Sequence, residues 1–355
     1  MEKDKIIIGI THGDLNGIGY EVILKALSDN RVYESFTPVI YGSSKVAAYY
    51  RKHLDIQNIN LNIINSISEI NYKRINIINC IDDDIKVEFG KSTKEAGGAA
   101  YRALEQATED LKNGFISALV TAPINKDNIQ SENFHFPGHT EYLEEKFGTE
   151  KKAVMMLAND VVRVAVVTGH IPIKDVPGAL TEELIVEKLT VLNDALKQDF
   201  AIVKPRIAVL GLNPHAGDNG VIGDEEQKII IPAMKRAEEL GVISAGPYPA
   251  DGFFGSDSFG KFDAILAMYH DQGLIPFKTL AMKNGVNVTL GLSIIRTSPA
   301  HGTAYDLAGK NKASEDSFRE ALYMAYDIFL KRNWNKEINA NPLKTSVVED
   351  TGTDD

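Results

Sequence analysis

Three apolar runs in this chain each end on a histidine. Residues 161–167 lead into Thr168-Gly169-His170, residues 206–212 into Asn213-Pro214-His215-Ala216-Gly217, and residues 262–267 into Met268-Tyr269-His270-Asp271-Gln272-Gly273. Short apolar runs of this kind, bounded by glycine or proline, read as buried strands. In open α/β sheets ligands collect at the carboxyl ends of strands. Three histidines in equivalent positions therefore demand a fold in which those strand ends can converge. Three neutral imidazoles suit Zn²⁺ or, with looser selectivity, Co²⁺ or Mn²⁺, and three protein ligands leave a coordination position open for water or substrate. The competing reading is that each histidine caps its strand end by hydrogen bonding to neighbours. For one histidine alone that is the commoner case; for the three together, spacing leaves both readings open.

The rest of the chain alternates strand and helix. Residues 5–10 read as a buried first strand, Thr11 to Gly19 as a glycine-rich turn, and residues 20–27 as a helix. The turn reads G-x-x-x-G-x-G, not the dinucleotide G-x-G-x-x-G, so tight strand–helix packing is preferred over phosphate binding. Residues 37–41 and 44–53 make a second strand–helix unit, and His53, among Arg51, Lys52 and Asp55, reads as a surface residue. Alternation over 56–79 suggests edge strands. A long amphipathic helix at 92–113 starts at Ser92 or Thr93 and stops at Gly114. A strand at 116–120, a helix at 141–147 and a hairpin within 151–168, turning at Asn159-Asp160, follow. Helices at 181–197 and 224–241 come next, then a strand at 287–291, a loop at 294–304 and a last helix at 314–332. The pattern predicts a largely parallel sheet with helices on both faces.

A chain of 355 residues exceeds one typical core, which predicts two domains. The net charge of -11 argues against nucleic acid or an anionic membrane as partner, while a local basic cluster can still hold a small anion. Cys80 is the only cysteine, so no intramolecular disulfide can form, in keeping with a reducing compartment. No apolar run approaches the ~18 residues of a membrane span. The first apolar stretch is too short for a signal peptide, so a cytoplasmic location is expected.

A second group of residues looks anion-directed. His139-Thr140 at a helix start, Lys278 behind the apolar Leu274-Ile275-Pro276-Phe277 run, Asn287 and Arg296 can together hold a phosphate or carboxylate. Asp271, beside His270, and Asp251, on a glycine-flanked loop, are candidate partners or proton acceptors. Either can equally be a solvated loop anion.

Five motifs carry a family resemblance. Tyr269-His270-Asp271-Gln272-Gly273-Leu274-Ile275-Pro276-Phe277-Lys278, Gly138-His139-Thr140-Glu141, Val167-Thr168-Gly169-His170-Ile171-Pro172, Gly211-Leu212-Asn213-Pro214-His215-Ala216-Gly217 and His301-Gly302-Thr303-Ala304 resemble the 4-hydroxythreonine-4-phosphate dehydrogenases. These are NAD-dependent enzymes of pyridoxal phosphate biosynthesis. The resemblance runs from the first strand to about the final helix.

It implies an α/β fold of two α/β/α lobes, similar to isocitrate and isopropylmalate dehydrogenases, with the active site in the cleft between them. The lobes would be residues 1–125 plus 279–335, and residues 126–278 with the metal site and dimer contacts, leaving 336–355 as a disordered polar tail. His170, His215 and His270 would bind the divalent metal, usually zinc, with magnesium, cobalt or manganese as alternatives. His139, Thr140, Lys278, Asn287 and Arg296 would contact the phosphorylated substrate, and His301, Gly302 and Thr303 the NAD. Asp251, Asp271 and Lys278 are the candidate catalytic groups. The resemblance further implies a homodimer with a shared active site.

The expected reaction is oxidation of 4-phosphohydroxy-L-threonine at C3 to 2-amino-3-oxo-4-phosphooxybutanoate, which loses CO₂ to give 3-amino-2-oxopropyl phosphate. Paralogues similar to this family oxidise D-threonate or D-erythronate 4-phosphate instead, and a non-catalytic metal- or phosphate-binding protein is the alternative of another class. One departure is local: Leu15 and Tyr20 stand where the family usually carries proline.

Overall fold

In the computed structural model residues 6–341 are described, apart from 83, 150 and 282. Twelve strands make one sheet among these residues: β1 (Ile6–Thr11), β2 (Phe36–Gly42), β3 (Leu61–Ile64), β4 (Ile75–Asn79), β5 (Ala118–Thr121), β6 (Val154–Ala158), β7 (Arg163–Thr168), β8 (Arg206–Leu210), β9 (Ile243–Tyr248), β10 (Ala264–Tyr269), β11 (Val286–Leu290) and β12 (Arg296–Pro299). Their order across the sheet is β3-β4-β2-β1-β5-β12-β11-β6-β7-β10-β8-β9. The first six run parallel, and so do the last four. Between them β11 is antiparallel to both β12 and β6, and β6 to β7. The two parallel blocks therefore point in opposite directions.

Period-two alternation sorts the strand side chains onto two faces. On β5, Ala118 and Val120 join Phe318 and Leu322 of the helix Asp316–Asn339, while Leu119 joins Ala103 and Leu104 of the helix Lys94–Lys112. On β7, Ala165 and Val167 share a core with Leu189 and Leu192 of the helix Glu182–Gln198, while Val164 and Val166 meet Leu274 and Phe277 of the helix His270–Leu280. Each fully buried Val, Leu or Phe side chain among these contributes roughly 1.5–3 kcal/mol. The helix starts follow their capping residues: Thr93 accepts from the amide of Ala96, and Thr181 from that of Leu184.

Two readings need correction. Residues 294–304 are not all loop, because Arg296–Pro299 forms β12, buried in mid-sheet between β5 and β11. Its polar residues hid it; they are polar because they face a site or bond buried partners. The last helix extends past residue 332 to Asn339, tied by Asn335 Nδ2 donating to the Lys197 carbonyl at 2.9 Å, so the tail expected from 336 begins as helix. The remainder of that tail, 342–355, lies outside the described residues.

The preference for packing in the first glycine turn is supported. Its Asp14 is buried and accepts from Asn128 Nδ2 and from the Tyr305 hydroxyl, both at 2.7 Å. A side chain at Gly19 would meet the His12 carbonyl at 2.0 Å, so only glycine lets the first helix approach the strand this closely.

Candidate active site

A buried cation anchors one half of the site. Arg296, on β12, is 3% exposed and hydrogen-bonds only hydroxyls: Nε and Nη2 donate to Thr121 Oγ1 at 3.2 and 2.8 Å, and Nη1 to Thr289 Oγ1 at 3.1 Å. Burial pushes its pKa down to about 10, and nearby Glu141 opposes that shift. A guanidinium held by neutral hydroxyls retains most of its unmet attraction for an anion. His139 is also buried, and its Nε2 has no hydrogen-bond partner. Burial, then the charges of Arg296 and Lys126, hold its pKa well below the usual histidine value. It is therefore a neutral imidazole beside two cations. It opens the helix His139–Phe147, whose first turn has no side-chain cap at Gly138. Uncapped amides, Arg296 and Lys126 together make a positively charged cluster, with the Glu141 carboxylate beside it. Asn287 sits two residues before Thr289 on β11, hence on the face that Arg296 uses, and its Oδ1 is buried without a partner.

The second half is a pair of histidines. His170 follows β7 and His270 follows β10, its neighbour in the sheet; their ring centroids lie 5.6 Å apart. Thr168 Oγ1 donates to the Met268 carbonyl at 2.8 Å and locks the two strand ends together. His270 Nδ1 bonds Asp271 Oδ1 at 2.7 Å, which fixes the orientation of the ring and leaves Nε2 outside that bond. Gln272 accepts from the Met268 amide at 2.7 Å and donates to the Gly211 carbonyl at 2.6 Å, tying the His270 helix to the segment leading to His215. Lys126 joins the two halves, its Nζ 3.4 Å from His170 Nε2. The His170 pKa is lowered by burial first and by Lys126 next. A cavity of about 260 Å³ opens beside this pair, bounded by Ile171, Ile173 and Tyr269.

The donor chemistry suits a divalent metal, since two imidazoles face one another at neighbouring strand ends and one is oriented by a carboxylate. One chain nevertheless brings only two of the three expected ligands together. Among the described residues no group of three His, Cys, Asp or Glu side chains is gathered to hold an ion. His215 stands exposed on its own turn, Pro214–Gly220.

Other expected residues are dispersed. Thr140 is half-buried on the second residue of its helix. Lys278 is exposed on the His270–Leu280 helix, eight residues or roughly 12 Å of rise beyond His270. Asp251 is exposed on the short helix Ala250–Phe254, which packs against the His215 turn. His301 is half-buried, and its pKa is lowered by that burial. Thr303 accepts the Ile18 amide at 3.0 Å, so the 301–303 segment lies against the first glycine turn. Gly302 is exposed. Lys126, Thr121, Glu141 and Gln272 were given no role from sequence, although Thr121 ends β5 and Lys126 lies just beyond it, as the histidines lie beyond their strands. A larger cavity, about 1010 Å³ between the Lys94–Lys112 helix and residues 65–72, contains none of the expected site residues.

The family model described as "Pyridoxal phosphate biosynthetic protein PdxA" matches residues 34–325. The chain belongs to the PdxA family. A 4-hydroxythreonine-4-phosphate dehydrogenase of Bacteroides thetaiotaomicron is 59% identical over 98% of this chain and 96% of its own length. A protein of Oceanobacillus iheyensis named for D-threonate 4-phosphate dehydrogenase activity is 39% identical over 91% of this chain and 97% of its own. Among solved structures, the 4-hydroxythreonine-4-phosphate dehydrogenase of Klebsiella pneumoniae superposes with a TM-score of 0.79 at 34% identity, covering 92% of this chain and 98% of that one. The PdxA fold is thus shared along nearly the whole chain, and family membership makes this an oxidoreductase.

Proposed function

We propose that this PdxA-family chain oxidises 4-phosphohydroxy-L-threonine at C3 with NAD, giving a β-keto acid that loses CO₂ to leave 3-amino-2-oxopropyl phosphate. The observation that carries the reading is the buried Arg296 guanidinium with only hydroxyl partners, beside neutral His139 and the uncapped helix start. Such a pocket is matched to a phosphate or carboxylate and fixes the substrate's anionic end, converting binding energy into orientation at the reacting carbon. Thr140, Asn287 and Lys278 are assigned to the same substrate.

His170 and His270 are the ligands of a divalent metal, zinc by preference, and such a metal when bound supplies Lewis acidity toward the hydroxyl to be oxidised. His215 is assigned as the third ligand. Its separation from the pair, together with exposed Ile171 and Ile173 at the cavity, favours a homodimer in which a second copy completes each site. NAD accepts the hydride, and His301, Gly302 and Thr303 beside the first glycine turn are assigned to it. Asp271 keeps His270 oriented, which makes the exposed Asp251 the remaining candidate proton acceptor. Two lobes, 1–125 plus 279–335 and 126–278, are consistent with the two parallel blocks of strands; in this reading β11 bridges them. Among the described residues no helix is long and apolar enough to cross a membrane, in line with a cytoplasmic enzyme.

The test is NADH formation from 4-phosphohydroxy-L-threonine measured beside D-threonate 4-phosphate. A kcat/KM at least ten-fold higher for the amino acid is expected. Turnover of the sugar acid alone moves the chain to the activity named for the Oceanobacillus relative.

A further inference from the structure

The turn that carries His215 is wound the wrong way for L-amino acids. From His215 to Gly220 six successive residues have positive φ, between 42° and 95°, and four of them, His215, Ala216, Asp218 and Asn219, are not glycine. Side chains disfavour this region, so such a run persists only where its surroundings over-determine it. Here the determinant is a carboxylate. Glu226 is 2% exposed; its Oε1 accepts from the Asn213 amide at 2.8 Å and its Oε2 from Asn213 Nδ2 at 3.0 Å. The same Asn213 Nδ2 donates to Glu225 Oε2 at 2.6 Å. Glu226 also lies against the turn itself, because a Cβ at Gly217 would meet Oε2 at 2.6 Å, and one at Gly211 would meet Oε1 at 3.1 Å. Gly211 is the residue whose carbonyl Gln272 binds, so Glu226 closes a knot between the His215 turn and the His270 helix.

We propose that Glu226 is a positioning residue that holds the His215 turn left-handed and so presents its imidazole for ligation before any metal arrives. Burying a carboxylate against amides is costly, and an exposed loop with no task gains nothing from it. Its effect is on a ligand and not on the fold as a whole, because its hydrogen bonds converge on the residue two before His215. The inference rests on the reading of His215 as a metal ligand.

The test is Co²⁺ titration of the full-length, metal-stripped protein, followed through the cobalt absorption bands, for wild type, His215→Ala, Glu226→Gln and the double variant, with circular dichroism to confirm folding. Glu226→Gln is expected to raise the Co²⁺ dissociation constant about 10–100-fold and to alter the bands, as loss of a supporting contact does at other metal sites. In the His215→Ala background the same change should have no further effect. Unaltered Co²⁺ binding in Glu226→Gln, with His215→Ala weakened, overturns the proposal while leaving the metal reading intact. Additive losses in the double variant also overturn it, since they mark a general destabilisation. Unaltered binding in His215→Ala overturns the metal reading, and this proposal with it. Should Glu226→Gln fail to fold, Asn213→Ser, which removes the shared side-chain donor and keeps the backbone bond, is judged by the same criteria.

Discussion

Arg296 shows how one residue can be both core and site. Its buried guanidinium is satisfied by Thr121 and Thr289, so it is pinned in place with no carboxylate among its hydrogen-bond partners. Lysine in its place keeps the charge but loses the planar fork that bonds two hydroxyls and an anion at once. Arg296→Lys is therefore expected to lower kcat/KM for the phosphorylated substrate about 10–100-fold, mainly through KM, the scale of one charge-assisted hydrogen bond. Steady-state kinetics check this; an unchanged KM removes Arg296 from the substrate. His139, a neutral imidazole beside two cations, owes its state to burial and not to a carboxylate. No sequence pattern announces that, although the Gly138-His139-Thr140 start of the helix did mark the place.

At the scale of elements, the helix His270–Leu280 sets the position of His270 by how closely it meets the sheet. A Cβ at Gly273 would lie 2.8 Å from Val164 Cγ1 and 3.0 Å from Ala267 Cβ, so glycine is what permits the approach. Gly273→Ala is expected to cost about 1–3 kcal/mol of stability through overpacking and to displace His270. Urea unfolding measures the first and Co²⁺ affinity the second; a variant as stable as wild type would show that the helix can slide freely. The elements most legible in the sequence were those whose apolar residues do only structural work. The hairpin of β6 and β7 and the capped helices beginning at Lys94 and Glu182 are of this kind. β12 was unreadable because Arg296 and Thr297 spend a strand's positions on buried hydrogen bonds. β9, which carries Gly246 and Pro247, was missed as a strand for the opposite reason, since turn residues dominate an exposed edge. The histidines stood out because each follows a strand. Glu226 did not, because its link to the turn exists only after the chain has wound left-handed.

Across the whole molecule, buried neutral histidines make stability depend on pH. His12 is fully buried in the first glycine turn, and burial lowers its pKa from 6.5 to about 4. A depressed histidine pKa means that the unfolded chain takes up the proton first. The stabilisation is complete above pH 6.5 and is lost as pH falls toward 4, and for His12 alone it amounts to about 3 kcal/mol. His139 and His301 shift in the same direction. Urea unfolding of the metal-free protein between pH 7.5 and 4.5 should show stability falling throughout that acidic window; a flat profile would mean that His12 finds water in the folded state.

In the proposed reaction the Arg296 cluster and the histidine pair serve one oxidation. Its most direct test is NADH formation from 4-phosphohydroxy-L-threonine by enzyme stripped with a chelator, then reconstituted with Zn²⁺ or Co²⁺. Activity that disappears on stripping and returns with the metal, together with release of CO₂, is the predicted result. Full NADH formation by the stripped enzyme would contradict the assignment of His170 and His270 as metal ligands, and no NADH under any condition would contradict the oxidation itself.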